Sequence, residues 1–302
     1  MNVLVLGGNG FIGTNLCKHL LGKGYRVRSF DYMKPVTRVE GIEYIEGDFF
    51  NDAVLEKTVQ GMDVVYHAIC TINPGNSNQK YMIGYSRDFT QTIKLCEILE
   101  KTGAKLIFLS SGGTVYGNAL KMPITEETIP HPINHYGNLK LCIENTLLTF
   151  AYQERLRVVI ARISNPYGPG QDYRKGVGVI DAALQCSING TTMEVWGNGS
   201  VVRDYIYIDD VCNMLISLAQ NNSINDYIYN VSSGRGTSVN EIVGIVRSIN
   251  GKLEVNYKEA RKVDAQEIVL SNTKIKEIYH YDLMEIEAGI KAFYEYLVRN
   301  VC

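Results

Sequence analysis

The chain has 302 residues, of which 45% are hydrophobic and 21% charged, and its formal net charge is −2. This is the composition of a globular protein with a sizeable core, in one large domain or two. Because it has no basic run and no apolar stretch of about 18–20 residues, we expect neither a nucleic-acid partner nor a membrane span. Seven scattered cysteines with no CxxC pair indicate reduced thiols in a cytoplasmic protein, and no metal site is predicted.

Short apolar runs alternate with helical patterns through the first half of the chain. Strands are predicted at 2–6, 26–30, 43–46, 63–67, 105–110 and 157–161, and helices at 11–21, 52–59, 86–101 and 136–153. This alternation indicates right-handed crossovers and a parallel sheet covered on both faces. We therefore expect an α/β fold of the Rossmann type, with a doubly wound parallel sheet.

The second half has more glycine and proline and shorter apolar runs. Helices are predicted at 176–188, 209–220 and 238–249, and the apolar stretch 227–232 has the pattern of a strand that returns to the sheet. We predict a dinucleotide-binding domain over 1–162, completed by a segment near 204–232. A smaller, interleaved α/β lobe over 163–302 is expected at the carboxyl ends of the strands, where open α/β sheets bind ligands.

A glycine-rich turn joins the first predicted strand to the first helix. Gly7, Gly10 and Gly13 have the spacing G-x-x-G-x-x-G, and Phe11 and Ile12 open the helix. Glycine allows a tight turn and lets backbone N–H groups approach a pyrophosphate, and a helix N-terminus adds a partial positive charge. Residues 7–13 are therefore predicted to bind a dinucleotide.

Acidic residues follow the second and third predicted strands. Asp31 closes the second strand, where a carboxylate can accept hydrogen bonds from adenosine ribose hydroxyls and repel a 2′-phosphate, which favours NAD over NADP. Asp48 and Phe49 follow the third strand and are expected to flank the adenine. The alternative for each acid is an ordinary turn residue at a strand end.

Tyr136 and Lys140 lie four residues apart in HYGNLK, so a helix presents both on one face. Taken alone, they could be a solvated surface pair. Together with the glycine turn, this YxxxK helix resembles the extended short-chain dehydrogenase/reductase family, in its NAD-dependent nucleotide-sugar epimerase/dehydratase form. The resemblance extends nearly end to end, through LSSGGTVYG, RISNPYGPGQ, WGNGSVVRDYIYIDDV and ARKVD.

The resemblance implies that Tyr136 takes a proton from a sugar hydroxyl while NAD accepts a hydride. A free tyrosine has a pKa near ~10, and the Lys140 ammonium together with the nicotinamide's positive charge is expected to lower it. Lys140 is also expected to bind the nicotinamide ribose. The family usually carries a further hydroxyl at the position of Gly112, so Thr114, Ser111 or a water must replace it, and Thr114 is favoured.

The same loop separates the reactions of the family. Its dehydratases carry an Asp-Glu pair just before Val-Tyr-Gly, and its decarboxylases a Glu, whereas this chain has Gly113 and Thr114. We therefore expect 4-epimerisation of a UDP-hexose or UDP-N-acetylhexosamine through a transient 4-keto sugar, with NAD tightly bound. The alternatives are an NAD(P)H-dependent 4-ketoreductase of a deoxysugar nucleotide and a non-catalytic NAD-sensing protein.

By the same resemblance, the second lobe binds the nucleotide diphosphate. The matching positions are Asn165 for the pyrophosphate or sugar, Arg203 and Arg261 for the phosphates, and Tyr205 and Asp264 near the uridine and ribose. Arginine forks suit bidentate phosphate contacts, although a surface ion pair is the alternative for each.

Two further expectations concern selectivity and assembly. Ile268 matches the position that gates the substituent on the sugar's second carbon, and it is smaller than the tyrosine found in some relatives. N-acetylhexosamines are therefore expected to be accepted. The helices at 86–101 and 136–153 are expected to form the seam of a homodimer, as in relatives.

Overall fold

The computed structural model of the protein describes residues 1–119, 121–175, 178–221, 226–259 and 265–300. Its centre is a seven-stranded parallel sheet in the order β10-β6-β5-β4-β1-β2-β3. The strands are β1 (Asn2–Leu6), β2 (Arg26–Asp31), β3 (Ile42–Glu46), β4 (Val64–His67), β5 (Lys105–Ser111), β6 (Val158–Ile163) and β10 (Ile228–Val231).

Helices connect these strands and continue into the second half of the chain. They are α1 (Phe11–Gly22), α2 (Asp52–Val59), α3 (Ser77–Ile83), α4 (Thr90–Thr102), α5 (Gly112–Val115), α6 (His135–Tyr152), α7 (Val179–Asn189), α8 (Ile208–Gln220), α9 (Val239–Asn250), α10 (Thr273–Lys276) and α11 (Ile286–Asn300). A π-helical turn, Gly84–Phe89, joins α3 to α4, and a 3₁₀ turn covers Tyr173–Lys175. In the described part of the chain, no helix is both long and apolar enough to span a membrane.

The central sheet buries both of its faces. Successive residues of β1 point to opposite sides, so that Val3 and Val5 enter one core and Leu4 and Leu6 the other. Helices α1 and α8 cover the first core, and α2, α4 and α6 cover the second. Burying each such side chain stabilises the fold by about 1.5–3 kcal/mol. The predicted doubly wound α/β fold is confirmed.

The strand order places a topological switch between β1 and β4. From β1 the chain adds β2 and β3 on one side and then continues with β4 on the other. Loops leaving the carboxyl ends of β1 and β4 therefore diverge, and open α/β sheets bind ligands in the crevice between such loops. The glycine turn follows β1, so the sheet topology puts it at this crevice.

Helix α8 is tied to the sheet by a buried lysine. Lys105, at the start of β5, donates from Nζ to the carbonyl oxygens of Leu218 (2.7 Å), Ala219 (3.3 Å) and Asn221 (2.9 Å). These are carbonyls at the C-terminal end of α8, which have no partner within the helix and carry a partial negative charge. Burial lowers the pKa of Lys105 to about 8.

In the described residues, the second lobe is built on short strands and three helices. Its strands are β7 (Asn165–Tyr167), β8 (Thr192–Trp196), β9 (Val202–Tyr207), β11 (Gly236–Ser238), β12 (Glu254–Lys258) and β13 (Glu267–Ile268). Strand β9 pairs antiparallel with β11 and parallel with β7 and β13, and β8 pairs with β12. Helices α7, α9 and α11 enclose a separate core. The sequence patterns had not indicated these strands, α3 or α11.

Candidate active site

The glycine turn packs tightly between strand and helix. Gly7 has φ +84°, a backbone conformation that favours glycine, and its N–H donates to Phe30 O at 2.8 Å. A Cβ on Gly13 would overlap Gly7 O, so only glycine allows helix α1 to approach the turn this closely. Gly7 also lies against the turn after β4, since a Cβ there would be 3.2 Å from Ala68 C.

The first turn of α1 has the properties of a phosphate site. Gly10 is its N-cap and supplies no side-chain cap, and no acidic residue lies in the first turn. The backbone N–H groups of Phe11, Ile12 and Gly13 therefore remain for an anion at the positive end of the helix. These features fit the pyrophosphate of a dinucleotide.

Asp31 is buried beside this turn, with its carboxylate fixed by backbone donors. Oδ2 accepts from Asn9 N at 3.1 Å and Oδ1 from Met33 N at 3.0 Å. Each oxygen keeps a lone pair that can accept from a ribose hydroxyl. A 2′-phosphate would meet this negative charge, so the residues fit NAD better than NADP.

Asp48 and Phe49 occupy the carboxyl end of β3 in different ways. Asp48 is exposed and accepts from Phe50 N at 3.0 Å. The Phe49 side chain points into the core, with its ring centroid 5.2 Å from that of His67. Of the two residues, Asp48 is therefore the one exposed to a ligand at this edge of the sheet.

Tyr136 and Lys140 lie in the first turns of α6. Asn134 caps the helix by accepting from Gly137 N at 2.8 Å. Lys140 is 3% exposed and donates from Nζ to Leu109 O at 2.8 Å, which anchors α6 to the carboxyl end of β5. Its Nζ lies 5.7 Å from the centroid of the Tyr136 ring.

The environment of Tyr136 shifts its pKa in the opposite direction to that expected from Lys140. Burial raises the pKa of the phenol, and the neighbouring acidic groups Cys70 and Asp88 raise it further. The physical reason is that the ammonium of Lys140 is turned to the Leu109 carbonyl, while the half-buried Tyr136 packs against the core formed with α2, α4 and α6. In the protein alone Tyr136 is therefore a neutral hydrogen-bond donor, and lowering its pKa is left to a bound cation.

The loop after β5 explains the missing hydroxyl at residue 112. A Cβ on Gly112 would overlap Leu270 Cδ1, so the Leu270 side chain fills the space that a serine would need. Thr114 Oγ1 is buried and has no hydrogen-bond partner among the described residues. A Cβ on Gly137, the neighbour of Tyr136, would overlap the backbone oxygen of Thr114, so the two residues pack closely. Thr114 therefore lies at the start of α6, with a buried hydroxyl that no described residue bonds.

Comparison with known proteins decides the family. The model of the "NAD dependent epimerase/dehydratase family" matches residues 3–232. The chain belongs to the NAD dependent epimerase/dehydratase family. It is 30% identical to the "Bifunctional UDP-glucose 4-epimerase and UDP-xylose 4-epimerase 1" of Pisum sativum, over 99% of this chain and 93% of that protein.

Two solved structures of similar length share the whole fold. The UDP-glucose 4-epimerase of Thermotoga maritima, solved with UDP-glucose, is 31% identical with a TM-score of 0.92, and each chain is covered to 100%. The UDP-glucose 4-epimerase of Thermus thermophilus, solved with NAD, is 26% identical with a TM-score of 0.90 and the same coverage. The predicted family and its NAD cofactor are confirmed.

Asn165, one of the predicted substrate residues, lies near the loop after β5. It donates from Nδ2 to Asp204 O at 3.0 Å, and a Cβ on Gly113 would be 3.7 Å from its Oδ1. Arg203 lies on β9, beside Ile268 of β13 in register, is half-buried, and donates to Val202 O at 2.8 Å.

Tyr205 and Tyr136 pack on different cores. Tyr205 packs in the core of the second lobe with Ile242 and Phe293, and burial raises its pKa to about 12. It also lines a cavity of about 430 Å³ with Arg235 and others. Two further predicted residues of this epimerase-family chain, Arg261 and Asp264, lie outside the described residues.

A buried ion pair beneath the site had not been noticed in the sequence. Glu144 lies one helical turn after Lys140 and accepts from Arg162 of β6, through Nη2 at 2.6 Å and Nε at 3.1 Å. Ser110 also donates to Glu144, and the Arg162 guanidinium lies 4.6 Å from the Tyr116 ring centroid. Residues 136, 140 and 144 are spaced four apart and so lie on one face of the helix, and this spacing was the signal in the sequence for Glu144.

Proposed function

We propose that this protein catalyses NAD-dependent 4-epimerisation of a UDP-sugar through a transient 4-keto intermediate. The observation that carries the proposal is that α6 and the loop after β5 meet at the carboxyl edge of the same parallel sheet that carries the glycine turn. There Thr114 lies against Gly137, next to Tyr136, and Lys140 is fixed to the end of β5. The relatives from Thermotoga and pea, both named for UDP-sugar 4-epimerisation, support the substrate class.

Each side chain has a role that its surroundings support. Tyr136 removes the proton of the sugar's 4-hydroxyl and returns it after the keto sugar has turned over. Thr114, whose hydroxyl has no partner among the described residues, donates a hydrogen bond to the same sugar oxygen. Lys140 has ammonium hydrogens beyond the one given to Leu109 O, and these orient the phenol oxygen and the ribose. NAD, when bound, accepts the hydride from the sugar carbon and returns it to the opposite face.

The loop after β5 lacks the acidic residues that dehydration of a sugar would require. Expelling a sugar hydroxyl requires an acid–base pair, and the positions that would carry it are Gly113 and Thr114. Oxidation and re-reduction at one carbon require only one base, which Tyr136 provides. This is the physical reason for preferring epimerisation within the family.

The substrate is a UDP-hexose or a UDP-N-acetylhexosamine. Ile268 is 5% exposed, and it packs with Tyr116 and Leu270, next to the loop after β5. A residue of this size leaves more room at the sugar than a tyrosine. Asn165 and Arg203, with Tyr205, Arg261 and Asp264, remain assigned to the nucleotide diphosphate.

The activity test is incubation of the purified protein with UDP-glucose, UDP-N-acetylglucosamine and a dTDP-4-keto sugar, without and with NADH. Interconversion at the fourth carbon without net NADH use supports the epimerase. Consumption of NADH by the keto sugar would select the ketoreductase instead. Conversion of UDP-glucose alone would refute the N-acetyl part of the proposal.

A matched pair of variants tests the base. Tyr136→Phe is expected to lower kcat by about 10²–10⁴-fold while NAD stays bound. Tyr152→Phe, at the far end of the same helix and 68% exposed, is expected to leave kcat unchanged. A Tyr136→Phe variant with full activity would refute the mechanism, and a wild type that binds NAD without turnover would favour an NAD-sensing role.

The quaternary structure is proposed to be a homodimer. Helices α4 and α6 lie side by side, and the groove between them is lined in part by Phe89, Ile93 and Thr146, all half-buried. Light scattering of the wild type should give the mass of a dimer, and Ile93→Asp should give that of a monomer. A cytoplasmic location is also proposed, on the basis of six free cysteines among the described residues.

A further inference from the structure

The π-helical turn Gly84–Phe89 lies directly against the helix that carries Tyr136. A Cβ on Gly84 would be 2.7 Å from Ile72 Cδ1 and 2.8 Å from Leu139 Cδ2 of α6. π-Helical turns are rare and are frequent at functional sites. The function proposed above gives this turn no role.

Asp88 is the buried acid of this turn, with 3% exposure. Its Oδ2 accepts from Thr71 N at 2.8 Å, Thr71 Oγ1 at 2.9 Å and Cys70 Sγ at 3.4 Å. Three donors that converge on one oxygen suit an ionised carboxylate. Its Oδ1 is buried and has no hydrogen-bond partner within the described ranges.

The titratable groups near Tyr136 and Lys140 come from several elements. Cys70 and His67 lie at the end of β4, Asp88 and Tyr85 lie on the π-helical turn, and His135 is on α6. Burial lowers the pKa of His67 to about 3 and raises that of Cys70 to about 11, so both are neutral near pH 7. The Tyr85 hydroxyl and His135 Nδ1 form a hydrogen bond of 3.2 Å. Asp88 and Lys140 are the carboxylate and the ammonium of this group, and both are buried.

We propose that Asp88 is a positioning residue of the reaction. Its carboxylate holds the turn at Cys70 and Thr71 beside Tyr136, and its negative charge opposes formation of the phenolate until a bound cofactor supplies a positive charge. The same charge favours the oxidised nicotinamide, which is cationic, over the reduced one, which is neutral. The second statement follows because Tyr136 acts on the hydroxyl of the same sugar carbon from which the nicotinamide accepts the hydride, and it rests on the proposed function.

Asp88→Asn separates charge from shape, because asparagine keeps an oxygen that accepts from Thr71. Asp52→Asn is the matched control, since Asp52 is a hydrogen-bonded carboxylate of α2 that contacts Lys94 and Gln91. The first readout is the acid limb of the pH profile of kcat. In Asp88→Asn it should move about 1 pH unit lower, because the phenol then ionises more easily.

The second readout is the midpoint potential of the nicotinamide in the intact protein, measured against redox dyes. Asp88→Asn should change the ratio of NADH to NAD affinity by about tenfold in favour of NADH, which is about +30 mV. This measurement needs no turnover of a sugar, so it stands even where the proposed epimerase activity fails. Asp52→Asn should move neither readout.

Three results would overturn the proposal. One is a folded Asp88→Asn variant with the wild-type pH profile and potential. Another is an equal shift in Asp52→Asn. The third is an Asp88→Ala variant that loses activity while Asp88→Asn matches the wild type in both readouts, because the role would then be only to hold the turn.

Discussion

The ion pair between Glu144 and Arg162 gives a quantitative prediction for stability. The two side chains are 0% and 3% exposed and joined by charge-assisted hydrogen bonds. Glu144→Met leaves the guanidinium buried without its counter-charge, and breaking such a pair costs about 3–5 kcal/mol. At roughly 2–4 °C per kcal/mol for domains somewhat smaller than this chain, the melting temperature should fall by about 10 °C.

The double variant Glu144→Met/Arg162→Met makes the test specific to the pair. Because both charges are gone and the volumes are similar, the double variant should be more stable than either single variant. The free energies of unfolding are measured by urea titration followed by circular dichroism. The exposed pair of Glu100 and Arg155, with an Nη2–Oε2 distance of 2.7 Å, is the control and should contribute about 0–1 kcal/mol.

Additive losses of unfolding free energy in the two single variants would contradict this prediction. If the double variant loses the sum of the two single losses, Glu144 and Arg162 act independently and their burial as a pair has no energetic meaning. The same conclusion follows if Glu100→Met costs as much as Glu144→Met.

Three further predictions follow from single side chains. Thr114→Val should lower kcat about 10²-fold with KM nearly unchanged, and Thr114→Ser should restore it, as steady-state kinetics will show. Burial holds the pKa of His67 near 3, below its ordinary 6.5, so the unfolded chain binds the proton first and stability falls as pH drops below about 6.5. Urea titrations at pH 7.0 and 5.5 measure the loss in the free energy of unfolding between these pH values, and this loss should be about 1 kcal/mol smaller in His67→Gln than in the wild type. Lys105→Met removes three hydrogen bonds to the end of α8 and should cost about 2 kcal/mol in thermal unfolding.

The central sheet was predictable because its signals are local. Continuous apolar runs such as NVLVL gave the strands, and the glycines after β1 gave the turn. Helix α2, predicted at 52–59, has these bounds in the structure. Helix α11 was missed although Ile286, Ile290, Phe293 and Leu297 repeat at helical spacing, so that signal was present in the sequence.

Other features have no local signal. Strands β11 and β13 have three and two residues, too few to show an alternating pattern, and they exist because β9 offers them backbone partners. The burial of Asp88 depends on Thr71 and on a π-helical turn that no hydrophobic periodicity in the sequence predicts. The opposite pKa direction of Tyr136 likewise comes from enclosure by distant segments, whereas the sequence shows only the lysine four residues away.

Strand β10 has a consequence for how the chain is made and cut. It pairs with β6 and forms one end of the central sheet, but it follows β7, β8 and β9 of the second lobe in the chain. Until residue 231 has left the ribosome, β6 exposes an unpaired row of backbone donors and acceptors to other nascent chains. A fragment that ends at residue 163 would keep β6 as an exposed, aggregation-prone edge strand. A stable fragment of the first lobe must therefore include β10.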